Sequence, residues 1–148
     1  MKAHSELVLI VDDEALDAES MQSALESVGF RVITANNPAS ARQRFLERAA
    51  EIDLLLIDVS LPGKNGVEVA KEFLRVRPDL RVLFDSGHVG AEVIRFYGLP
   101  ATDRHFLQKP FDAQTLLDRV EEILASSEPV PFSKSAPENG DTESPLRG

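Results

Sequence analysis

Five short apolar runs recur along the chain, each followed by a stretch in which apolar residues return at helical spacing. The runs are Leu7–Val11, Arg31–Thr34, Leu54–Ile57, Arg81–Phe84 and Phe106–Leu107. The first and third are apolar at every position rather than alternating, the pattern of a strand covered on both faces. After the first run, Leu16, Met21, Leu25 and Val28 predict a helix, with Gly29 placed as the glycine that ends it. Asn37-Pro38 reads as the N-cap and first residue of a second helix through Ala41, Phe45 and Ala49. A third runs from about Gly66 through Val69, Phe73 and Leu74 to a stop at Pro78. A fourth, short helix is expected from Gly90 to about Tyr97, ended by Gly98 and Pro100. The fifth opens at Asp112 and presents Leu116, Leu117, Val120, Ile123 and Leu124. Strands and helices in strict alternation predict an α/β fold, a parallel sheet with helices on both faces and right-handed crossovers.

The pattern dissolves after Leu124. Residues 126–148 carry Pro129, Pro131, Pro137 and Pro145 among Ser, Glu, Asn and Gly, and read as a disordered tail or linker. The expected domain is therefore residues 1–125.

Composition narrows the picture. With 148 residues, 43% of them hydrophobic, the chain can bury one full core. Its net charge of −9 disfavours nucleic acid and anionic membrane surfaces as partners. Arg42, Arg44 and Arg48, and Arg75, Arg77 and Arg81, are interleaved with apolar or acidic residues and read as solvated helix faces and ends. No apolar run is long enough to span a bilayer, and Leu7–Val11 is too brief for a signal peptide, so a cytoplasmic location is expected. The absence of cysteine removes disulfide and thiolate chemistry.

In open α/β sheets, ligands bind beyond the carboxyl ends of the strands, so those ends are where chemistry is expected. The first strand runs into Asp12-Asp13-Glu14, the third into Asp58, the fourth into Asp85-Ser86-Gly87, and the fifth into Lys109-Pro110. Acids this close need a cation, and oxygen ligands on a shallow, hydrated site suit Mg²⁺. A metal, an ammonium and a hydroxyl around a carboxylate are the parts that hold a phosphoryl group in transfer, with the carboxylate as nucleophile. Dinucleotide and phosphate-loop signatures are lacking: two aspartates stand where a Gly-rich turn would follow the first strand, and Gly63-Lys64-Asn65-Gly66 reads as the turn opening the third helix.

Val11-Asp12-Asp13-Glu14, Leu55 to Gly66 and Phe106-Leu107-Gln108-Lys109-Pro110-Phe111 resemble, in order and interval, the motifs of response-regulator receiver domains of two-component signalling. The resemblance extends from about Leu7 to Leu124. It implies a flavodoxin-like sheet of strand order 2-1-3-4-5. It further implies that Asp58 accepts phosphate from a histidine kinase or a histidine phosphotransfer protein. Asp13 and Asp58 would hold Mg²⁺, with the Ser60 carbonyl and, through water, Asp12. Lys109 would pair with the phosphoryl oxygens, and the Lys109-Pro110 peptide would be cis. Ser86 and Phe106 would be the switch residues, repacking the face of the fourth helix, fifth strand and fifth helix on which a downstream target binds. Homodimerisation through that face is left open.

Asp85 departs from the pattern, because the position before the hydroxyl is ordinarily apolar or small. Strand alternation turns it away from Ser86, and Arg95 or Arg104 is an expected partner, or else an unusual partner surface. His88 is placed either to touch the phosphoryl group or to lie exposed in a loop. Two alternatives accompany the reading of a binding switch with no enzymatic output beyond its own phosphorylation and dephosphorylation. One is a receiver cut from a longer hybrid kinase or regulator. The other is an aspartate-nucleophile phosphohydrolase, disfavoured because Ser60 stands where that chemistry needs an acid and there is no room for a substrate cap.

Overall fold

The computed structural model describes residues 4–87 and 105–126. The fourth helical stretch, His88, Arg95, Arg104 and the proline-rich segment all lie outside the described residues. Five parallel strands, β1 (Leu7–Val11), β2 (Arg31–Ala35), β3 (Ile52–Asp58), β4 (Arg81–Ser86) and β5 (Phe106–Gln108), form one sheet in the order β2-β1-β3-β4-β5. This is the flavodoxin-like order the resemblance implied. The described helices are α1 (Ala15–Glu26), α2 (Pro38–Arg48), α3 (Gly66–Val76) and α4 (Ala113–Ala125), the last being the stretch that opens at Asp112.

Alternation within the strands sorts the core into two layers. Leu9, Val11, Leu55, Ile57, Val82 and Phe84 face α2 and α3, where Phe45 and Phe73 stack with centroids 4.2 Å apart. Val8, Ile10, Leu54, Leu56, Leu83 and Leu107 face α1 and α4, against Met21, Leu25, Leu116, Val120 and Ile123. β1 and most of β3 are fully buried, as their continuous apolar runs require.

Helix starts follow the cap residues. Asn37 accepts from the Ser40 amide at 2.8 Å, Asn65 from Glu68 at 3.0 Å and Asp112 from Thr115 at 2.9 Å. Gly29 ends α1 at φ +102°, a left-handed conformation that disfavours any side chain. Leu16 is a correction to the expected buried face of α1: it is 77% exposed. Met21 and Leu25 are four apart and share the buried face. Leu16 precedes Met21 by five positions, which at 3.6 residues per turn carries it to the far side of the helix.

Candidate functional site

Register decides which acids meet. Asp12 continues the parity of Val8 and Ile10, Asp58 that of Leu54 and Leu56, and Asp85 that of Leu83. All therefore extend the α1/α4 layer past the carboxyl edge of the sheet, and Asp58 and Asp85 are register partners on adjacent strands. Asp12, Asp58 and Asp85 are buried, and an oxygen from each lies within 4.8 Å of the others.

Lys109, following β5, reaches over the end of β4 into this cluster. Its Nζ donates to Asp17 at 2.9 Å, Asp58 at 3.1 Å and Asp12 at 3.2 Å, and lies 3.4 Å from Oδ1 of Asp85. The Lys109-Pro110 peptide is cis, as the resemblance implied. Asp58 Oδ1 accepts from the Ser60 amide at 2.8 Å, and Asp12 Oδ1 from the Glu14 amide at 2.8 Å. Main-chain amides thus orient both carboxylates while leaving their second oxygens toward Lys109.

The start of α3 presses against the same strand end. The Gly66 amide donates to the Val59 carbonyl at 2.7 Å, and a Cβ on Gly66 would overlap the carbonyl oxygen of Asp58. Glycine is needed here for close backbone approach rather than for a positive φ.

The electrostatics follow from one cation among several acids. Burial pushes the Asp85 carboxyl up to about 8, with Lys109 opposing and Asp58 and Asp12 adding to the rise. Asp12 is raised for the same leading reason, opposed by the Glu14 amide and by Lys109. Burial works against the Lys109 ammonium, yet the surrounding carboxylates outweigh it, Asp85 foremost, and hold it above the ordinary lysine range. Among the described residues, neither carboxylate oxygen of Asp85 has a hydrogen-bond donor and the buried Ser86 Oγ has no partner. A clustered oxygen set carrying more acid than its lysine can neutralise fits a hard divalent cation.

Each sequence-predicted residue can now be located. Asp12, Asp58 and Lys109 meet directly, whereas Asp13 is exposed and lies outside the buried cluster. Ser60 is exposed and touches Asp58 through its amide. Ser86 is fully buried with its parity on the α2/α3 side, and Phe106 is partly buried against that same layer. Asp85 corrects the expectation of a surface role, since it has no exposed area; Arg95 and Arg104 lie outside the described residues, and among those described the cation beside it is Lys109. Sequence reasoning missed Asp17. It is the acid in the first turn of α1, directly after the acidic end of β1, and that proximity in sequence could have flagged it.

A family profile described as the response regulator receiver domain matches residues 8–121. Among curated proteins, the chain is 32% identical over 118 residues to the aerobic respiration control protein ArcA of Escherichia coli, covering 80% of this chain and 48% of that one. The chain thus spans about half the length of the first of these relatives. It is 29% identical over 120 residues to the response regulator receiver protein CpdR of Brucella abortus, covering 81% of this chain and 98% of CpdR. A receiver protein structure from Sinorhizobium medicae superposes with a TM-score of 0.73 at 28% identity, over 84% of this chain and 98% of that one.

Proposed function

This chain belongs to the response regulator receiver family, and on that premise we propose that it is a phosphorylation switch whose acceptor is Asp58. The observation that carries the reading is the Asp58 carboxylate, fixed by the Ser60 amide on one oxygen and facing the Lys109 ammonium with the other. A carboxylate oxygen attacks the phosphorus of a phosphohistidine, the P–N bond breaks, and the imidazole nitrogen keeps the electron pair. The product is an acyl phosphate. Lys109 neutralises charge on the transferred group and orients it.

Asp12, Asp13 and Asp58, with the Ser60 carbonyl, would hold Mg²⁺ at the mouth of the cluster. The ion, when bound, supplies the positive charge that lets an anionic phosphoryl group approach an acidic site. Ser86 Oγ, buried and without a partner among the described residues, can donate to a phosphoryl oxygen. Its movement opens room behind it for Phe106, on the neighbouring strand, and the resulting population shift changes the face made by β5 and α4. The partners of the switch are a histidine kinase or phosphotransfer protein upstream and a protein target on that face downstream. Among the described residues no helix is long and apolar enough to cross a membrane.

The test is intact mass after incubation with acetyl phosphate. A single phosphate adduct that needs Mg²⁺ and is removed by hydroxylamine supports the reading. No adduct, or one indifferent to both, overturns it.

A further inference from the structure

Lys109 and the proposed acceptor Asp58 are not on neighbouring strands. β4 lies between β3 and β5, and the residue at its end, directly beside Asp58 in the register, is Asp85. To reach Asp58 the lysine must pass over Asp85, and Nζ comes within 3.4 Å of Oδ1 as it does so. Asp85 has no exposed area, and among the described residues Lys109 is the cation its carboxylate meets. The three N–H donors of the ammonium are directed at Asp12, Asp17 and Asp58. Asp85 therefore attracts the lysine from the buried side without fixing it by a hydrogen bond.

We propose that Asp85 is a positioning residue that holds Lys109 back in the resting domain, so that a phosphoryl group arriving on Asp58 must compete for the ammonium. The inference rests on the reading of Asp58 as acceptor. An apolar side chain at the end of β4 would remove one of the carboxylates that compete with the phosphoryl group for Lys109. Where Asp85 is ionised, its carboxylate divides the attraction and also adds repulsion toward the incoming anion. The domain is thereby biased toward its unphosphorylated state, and the bias originates at a residue that touches the lysine rather than the phosphate.

The probe is beryllofluoride, a phosphoryl mimic, titrated in the presence of Mg²⁺ at alkaline pH, where Asp85 carries its charge, into the full chain, into Asp85→Val and into the isosteric Asp85→Asn. Binding is read by ¹⁹F NMR and the lysine ammonium by ¹⁵N NMR. Both variants are expected to bind the mimic more tightly, Asp85→Val by about fivefold or more, which corresponds to about 1 kcal/mol, and both are expected to move the Lys109 ammonium signal. Asp85→Asn keeps the shape of the site and decides the matter if the valine variant does not fold. Unchanged or weakened binding, or an unmoved Lys109 signal, overturns the inference. A native chain that does not bind the mimic at all instead counts against Asp58 as acceptor.

Discussion

Asp58 and Asp85 sit side by side at the carboxyl ends of β3 and β4, and a single ammonium, that of Lys109, lies 3.1 Å from the first and 3.4 Å from the second. Asp12 and Asp17 draw on the same cation. The site is short of positive charge at rest, and most of its behaviour follows from that imbalance.

Removing the cation should be costly. Lys109→Met leaves buried Asp12, Asp58 and Asp85 facing one another without a counter-charge. The loss is expected to be about 3 kcal/mol in chelator, in the range for breaking a buried ion pair. Mg²⁺ should restore a larger share of stability to this variant than to the native chain, because binding to the folded form is linked to folding. Urea melts with and without Mg²⁺ check both statements.

Asp85 should make stability fall with rising pH when no metal is present. Its carboxyl is raised from 3.8 unfolded to about 8 folded. Between those values the native state holds a proton that the unfolded chain has lost, so stability declines as pH rises through the window and levels above it. Asp12, raised in the same direction, adds to the decline. Asp85→Asn should flatten the profile and stabilise the domain by about 1–3 kcal/mol at the alkaline end, since the acids outnumber the cation. Thermal melts in chelator across that pH range measure it.

Glu72 should act with the opposite sign. Its bond to Arg42 at 2.6 Å holds the carboxyl down to about 2, and the pair ties α2 to α3. The contribution is complete above the ordinary value of 4.5 and disappears as pH falls through about 2. Because the pair is partly solvent-exposed, its worth is at most about 1 kcal/mol. A double-mutant cycle on Arg42→Ala and Glu72→Ala, repeated at acid pH, should show the coupling shrink.

Gly66→Ala should damage the site from outside the acidic cluster. The added Cβ would overlap the Asp58 carbonyl oxygen, so α3 or the end of β3 must shift. A loss of about 1–3 kcal/mol, typical of overpacking, is expected together with slower phosphorylation. Gly63→Ala is the contrast: open space surrounds it, but φ is +81°, so it should cost stability through backbone strain and leave the acceptor in place. Melts and phosphorylation rates of the two variants, side by side, separate these effects.

Much of this architecture was legible in the sequence because its signals are local. Leu7–Val11 and Leu54–Ile57 announced doubly covered strands, and Asn37, Asn65 and Asp112 sit where caps must be. In the sequence Asn65 reads only as part of a turn, and its capping bond is a feature of the fold. The gathering of Asp12, Asp58, Asp85, Ser86 and Lys109 at one edge followed from strand ends alone. What escaped depended on distances across elements. Asp17 joins the site through its contact with Lys109, and Asp85 meets that lysine because the long side chain passes the end of β4 on its way from β5 to Asp58. Leu16 is apolar but five residues out of phase with Met21, and so lies off the buried face of α1.

The central claim is that Asp58, among several neighbouring carboxylates, is the one that takes phosphate. The most direct measurement is to phosphorylate the chain with acetyl phosphate and Mg²⁺, reduce the acyl phosphate with borohydride, and locate the modified residue by tandem mass spectrometry. The account predicts homoserine in place of Asp58 alone, and no modification in Asp58→Asn. Reduction product at Asp12, Asp13 or Asp85, or an adduct that persists in Asp58→Asn, would contradict it.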